Sequence, residues 1–298
     1  MMQKRNKSRP QREKTIAIHT DIDNGVTKGK TRIKPLAKVV EGKKKLDSPI
    51  LIAGFPGAGL VGSISTSYII KELDMSQIAC VESQFIVPGV IYAEGKLRHP
   101  FRVYSNVKGD VCVLVCEAPI MIQGIYSVLD AVMNWALHNK VREVMVLDGI
   151  PLEGLPDPKR TPIILSSDGR KADEANLIHD YNIDVTKKEE VDDAASVYPS
   201  TAFVPGLAGG ILSSCLSNGI PSKALLVYAA RGIPDPEGAA ILIDSLGKIT
   251  ENTSLKIDTT ELRKQGAAIK TRIENIIQSS KQEQAQTQTS VRDGVMYG

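Results

Sequence analysis

The sequence predicts an α/β fold in which a mixed sheet is flanked by helices. From Ser48 onward, apolar runs of four to six residues alternate with segments of helical period, the pattern of strands that feed helical layers. The 298 residues, 42% of them hydrophobic, are enough to bury a core without disulfide or metal staples. Aromatic residues make up only 4% of the chain, so that core must be built from Ile, Val, Leu and Ala.

Taken in order, residues 1–14 hold almost no apolar side chains and are expected to form a disordered basic arm. Residues 15–47 read as a weakly structured basic segment, with short alternating runs at Ile16–Ile18 and Thr31–Ile33 as edge-strand candidates. The main domain is expected over 48–277. Its strands are predicted at Ile50–Ala53, Ile78–Val81, Val111–Cys116, Val144–Leu147 and Ala224–Tyr228. Between Phe85 and Asn106 the turn pairs Pro88-Gly89 and Glu94-Gly95 predict hairpins. Helices are predicted at Leu60–Leu73, Ile122–Asn139, Gly209–Ser217 and Glu237–Leu246. The last of these opens on Asp235 as N-cap and Pro236 at the first helical position. A final helix is expected from Asp258, with Glu261 completing a capping box and Leu262, Ile269, Ile273, Ile276 and Ile277 on one stripe. Residues 278–294, rich in Gln, Ser and Thr, read as a flexible linker to an apolar tail at 295–298.

Composition narrows the function classes. No apolar run approaches the ~20 residues that span a bilayer, and the N-terminus lacks a signal-type apolar core, so the chain reads as cytoplasmic. Cys80, Cys112, Cys116 and Cys215 show neither C-x-x-C nor metal spacing with the histidines, and no metal is expected. They read as small buried hydrophobes. Residues 1–45 carry 14 Lys/Arg against 4 Asp/Glu, and the remainder carries the opposite bias. Such an arm reads as solvated, and nucleic acid is not the expected partner.

One segment carries most of the functional information: Gly54-Phe55-Pro56-Gly57-Ala58-Gly59-Leu60-Val61-Gly62, a glycine-dense turn between a strand and a helix. Gly57-x-Gly59-x-x-Gly62 has dinucleotide-turn spacing, and Glu82 sits where a ribose-binding acid would lie. Against this, Gly54-Phe55-Pro56 intervene between the strand and the first glycine, and no lysine follows to make a P-loop. The alternative therefore stands open at this point: a nucleotide- or nucleoside-binding enzyme, or a structural turn. A second glycine-dense stretch, Val204 to Gly210 with Gly206, Gly209 and Gly210, repeats the loop-to-helix arrangement. No hydrolase elbow or zinc-protease helix is present, and neither turn carries a nucleophile or base.

Six segments in order resemble the proteasome assembly chaperone 2 family in its archaeal form. They are Gly54–Gly62, Pro100–Tyr104, Glu117–Ile120, Asp148–Pro151, Gly206–Gly210 and Pro234–Ala240. The resemblance spans about 48–277 and implies a nucleoside-phosphorylase-like mixed sheet without a catalytic site or cofactor. It also implies a homo-oligomer that engages the α-subunits of the 20S proteasome. Some archaeal members carry a C-terminal hydrophobic–Tyr–X docking tail, matched here by Met296, Tyr297 and Gly298.

Overall fold

The computed structural model describes residues 35–93, 95–157, 159–167, 203–250 and 252–272. The chain folds as β1 (Ala37–Glu41), β2 (Ile50–Gly54), α1 (Val61–Glu72), β3 (Ser76–Ser83), β4 (Ile91–Ala93), β5 (Lys96–Arg98), β6 (Phe101–Ser105) and β7 (Val111–Cys116). It continues through α2 (Ile125–His138), β8 (Glu143–Leu152), β9 (Ile163–Ser166), α3 (Gly206–Asn218), β10 (Ser222–Ala230) and α4 (Pro236–Ile249). A last helix, α5, covers 260–272.

Eight strands form one mixed sheet in the order β1-β3-β6-β7-β2-β8-β10-β9, and β4 and β5 form a separate hairpin. The centre, β7-β2-β8-β10, is parallel, while β1, β6 and β9 each run antiparallel to a neighbour. The period-2 alternation of these strands divides the core in two. Leu51, Ala53, Cys112, Leu114, Val144 and Val146 face α2 and α3. Ile50, Ile52, Val113, Met145, Leu147 and Leu225 face α1 and α4. The central strands are buried on both faces, which is why they read as continuous apolar runs. Cys112 and Cys116 fall on the same face, as their spacing requires, and all four cysteines are unbridged and buried. Burial pushes the Cys112 thiol up to about 12 and those of Cys116 and Cys215 to about 11, so none is a ready nucleophile.

The five strands and four helices predicted from periodicity all form, most of them longer at the ends. Three departures have local causes. Residues 37–41, expected within a weakly structured segment, form the edge strand β1 paired with β3. Its two valines are too short a signal to read alone, and the strand is held from outside by Trp135, whose Nε1 donates to Glu41 at 2.8 Å. The helix expected from Ile122 starts with a 3-10 turn at Ile122–Gly124, and Gly124 lies against the Phe85 ring, where any side chain would collide. At α5 the expected capping box is replaced by a different arrangement. Asp258 Oδ1 accepts from the Thr260 N–H at 2.9 Å, and Thr259 Oγ1 donates across to Asp244 at 2.8 Å. Ile273, Ile276 and Ile277, the Ile16 and Thr31 runs, the basic arm, the linker and the tail lie outside the described residues. Among those described, no helix is long and apolar enough to cross a membrane.

Candidate functional site

The Gly54–Gly62 turn lies where β2 ends, beside the carboxyl ends of β8 and β10, at the edge where α/β sheets usually bind ligands. Its backbone is set by close approach. A side chain on Gly54 would strike the Gly62 carbonyl at 2.3 Å, and one on Gly62 would strike the Leu147 carbonyl at 2.5 Å. α1 can therefore press its first turn onto β8 only if both positions are glycine. Gly59 is left-handed (φ 62°), with Ala229 and Asp235 against it. Its carbonyl accepts from the Asp235 N–H at 2.8 Å, which ties the turn to the loop before α4. Phe55 is buried in the core, and Pro56 and Gly57 continue the turn over Asp148.

That geometry does not suit a nucleotide. Asp148 Oδ1 lies 2.6 Å from where a Cβ on Gly57 would be, so a phosphate here would meet a carboxylate beside the amides. Burial raises the Asp148 carboxyl above its ordinary range, and its hydrogen bond from the Gly149 N–H at 2.8 Å only partly opposes that. Glu82 sits on β3, separated from β2 by β6 and β7, about 14 Å away in strand spacings, and pairs with Lys38 of β1 at 3.0 Å. It cannot be a ribose ligand to this turn. α1 begins without a side-chain cap, and the hydroxyls of Ser63 and Ser65 are buried without a partner among the described residues.

The second glycine stretch lies at the same sheet edge but on the opposite face. Gly206 opens α3 with φ 70°. Gly209 allows the Val204 carbonyl to approach, and Gly210 packs on Leu129 of α2. The two glycine turns are thus devices that seat helices on the two faces, and they do not converge on one pocket. Sequence reasoning missed a buried ion pair at this edge. Arg160 pairs with Asp235, 75 residues on, while Asp235 Oδ1 caps α4 through the Gly238 N–H at 2.9 Å. Nothing local to Arg160 announces that partner. Met296, Tyr297 and Gly298 lie outside the described residues. No cluster of metal-ligating side chains is present among those described.

A profile of the PAC2 family matches residues 51–277. An uncharacterised protein of Methanocaldococcus jannaschii is 27% identical over 243 residues, covering 80% of this chain and 89% of its own. Among solved structures, PbaA of Pyrococcus furiosus, described as an archaeal homologue of proteasome-assembly chaperone, superposes with a TM-score of 0.65. It is 21% identical and covers 88% of this chain and 100% of its own. PbaB of the same organism, described as an archaeal proteasome activator, superposes with a TM-score of 0.59 at 18% identity, with 82% and 99% covered. At these identities both are likenesses of fold.

Proposed function

The chain belongs to the PAC2 family, and from that premise we propose that it is a non-enzymatic partner of the 20S proteasome, an assembly chaperone or activator that docks on the α-ring through Met296, Tyr297 and Gly298. The observation that carries the reading is the family match over 51–277, which takes in the sheet from β2 onward and its helices. The fold likeness to a proteasome-assembly chaperone homologue and to a proteasome activator supports it. So does the filling of the glycine turn by Asp148, Ala229 and Asp235, which leaves the nucleotide alternative without a cradle.

The tail reading rests on its composition. Val295, Met296 and Tyr297 follow a polar stretch of seventeen residues, 278–294, whose flexible reach would be about 20–25 Å. Three residues bury little surface, so one tail binds weakly, and several on one oligomer gain avidity once the linkers span the ring. Self-association is therefore part of the proposal. It is supported by exposed apolar side chains on two segments, Val90, Tyr92 and Leu97 in and beside the hairpin and Met121, Ile122 and Tyr126 leading into α2. The segments bearing them are joined by the Val87 N–H to Pro119 and the Met121 N–H to Phe85 carbonyl bonds. Side chains of this size present several hundred Å², on the scale of one side of a standard interface at ~800 Å². None of the six is charged, which suits a lasting contact between copies better than a passing one.

Surface plasmon resonance against immobilised archaeal 20S particles tests the tail. Deleting 296–298, or Tyr297→Ala, is expected to leave fold and oligomer intact and to weaken binding at least tenfold. Equal binding by the truncated protein would move the docking surface to the folded body.

A further inference from the structure

The sheet has a bare edge at β1. Among the described residues β1 pairs with β3 alone, in an antiparallel register that sets Ala37 against Ser83 and Glu41 against Ala79. The Gly42 N–H continues that ladder by donating to the Ile78 carbonyl at 2.8 Å. Antiparallel strands bond through alternate residues, so Lys38, Val40 and Gly42 turn their backbone groups towards β3. The N–H and C=O groups of Ala37, Val39 and Glu41 therefore point away from the sheet, and no backbone partner meets them among the described residues. Such an edge is open to any extended chain, and natural sheets cover, charge or shorten theirs. The side chains of this one are already in place. Ala37 and Val39 pack with the core on the α2 side, and Glu41 accepts from Trp135 Nε1 at 2.8 Å.

The chain that enters β1 has the pattern to cover it. The runs Ile16–Ile18 and Thr31–Ile33 flank Asn24-Gly25, a dipeptide that favours the two-residue type I′ hairpin turn. A turn at that place fixes the register. Ile16 falls opposite Ile33, Ile18 opposite Thr31 and Ile22 opposite Thr27, all on one face. The other face sets Asp21 against Lys28 and carries His19, Lys30 and Arg32. Only three residues, 34–36, then separate Ile33 from Ala37. That length suits neighbouring antiparallel strands and is too short for a parallel crossover. Setting Ile33 beside Ala37 and Thr31 beside Val39 meets the outward backbone groups and brings the apolar face to the side that α2 covers. Arg32 then lies beside Lys38, whose partner Glu82 is 45% exposed and can take a second cation.

We propose that residues 15–33 form a β-hairpin that docks on the β1 edge of the same chain, with 27–33 as the strand paired to β1. The N-terminal hairpin closes that side of the sheet to strand addition. Contact between copies is then left to exposed side chains and does not use this edge.

Residue-resolved amide hydrogen exchange on the full chain, read by NMR, tests the docking. The amides of Ala37, Val39 and Glu41 should be protected, as those of Lys38 and Val40 are by β3. Gly25→Val removes the residue that accepts the left-handed backbone of the turn, and Ile33→Asp puts a charge into the apolar face. Each variant should speed exchange at Ala37, Val39 and Glu41 at least tenfold and leave Lys38 and Val40 unchanged. Fast exchange at the three outward amides of the wild type would overturn the proposal, and so would protection that survives both variants. Speeding that is equal at all five residues would show β1 loosening as a whole, which also rules out a cover confined to its outer edge. Protection that falls on dilution would hand the edge to a second copy and end the same-chain assignment.

Discussion

At the scale of single residues, this protein places its glycines where backbones touch and lets one carboxylate take an unfavourable position. Gly59 combines a left-handed backbone with neighbours 2.8 and 2.9 Å from any Cβ. Gly59→Val should therefore destabilise the fold by roughly 3 kcal/mol, part from the left-handed conformation and part from overpacking, seen as a lower urea midpoint. An unchanged midpoint would mean that the turn rebuilds without glycine. Asp148 makes a prediction of opposite sign. Its pKa is raised in the folded state by burial, so above the ordinary carboxylate range the folded chain holds its proton more tightly than the unfolded one. Stability is then lost as pH rises through the raised pKa. Asp148→Asn can keep the bond from the Gly149 N–H and should melt a few degrees higher than wild type at pH 7. The gap should close below about pH 3, where both states of the wild type are protonated. A melting point lower than wild type at pH 7, with the gap closing in acid, would show that the carboxylate is needed as an anion. The glycine spacing was legible in the sequence, but its purpose was not, because the atoms that crowd Gly57 and Gly62 belong to β8, some ninety residues on.

At the scale of elements, α4 shows how a readable cap hides an unreadable contact. Asp235-Pro236 predicted the helix start, and the structure keeps both roles. The same carboxylate also neutralises Arg160, buried in the wall of the β8–β9 connection. Breaking such a pair strands a buried charge, at about 3–5 kcal/mol, and losing the cap adds about 1 kcal/mol. Asp235→Ala should lose both contributions. Asp235→Asn can keep the cap and should fall between Ala and wild type in urea denaturation. Equal midpoints for Asn and Ala would show that the cap contributes nothing. α5 is attached in a similar way, with Arg263 bridging Glu237 and Asp244 of α4 and Thr259 bonding Asp244. Its local capping signal at Asp258 was one residue out because these contacts to α4, invisible in sequence, set where the helix begins.

For the whole molecule, the proposed self-association calls for an apolar surface. Ile122 and Tyr126 are 78% and 80% exposed, one turn apart at the start of α2, and the β4–β5 hairpin bears the exposed pair Tyr92 and Leu97. If this surface joins copies, Ile122→Asp with Tyr126→Asp should reduce the mass measured by light scattering to that of a monomer, while circular dichroism stays unchanged. A wild-type monomer at micromolar concentration would remove self-association from the proposed function but leave tail docking to its own binding test. An oligomer unaffected by the two changes would place the interface elsewhere.

The sequence by itself determined the α/β class, the five strands β2, β3, β7, β8 and β10, and four of the helices. Those elements are specified by local periodicity and by capping residues a few positions apart. It also carried the family membership, through six short segments in order. Tertiary structure alone decided the order of the sheet, with β3 carried three strands away from β2, and so removed Glu82 from the glycine turn. It likewise decided the edge strands β1 and β9 and the Arg160–Asp235 pair. Each of these depends on groups distant in the chain that meet only when the sheet closes, and no local pattern encodes such a meeting.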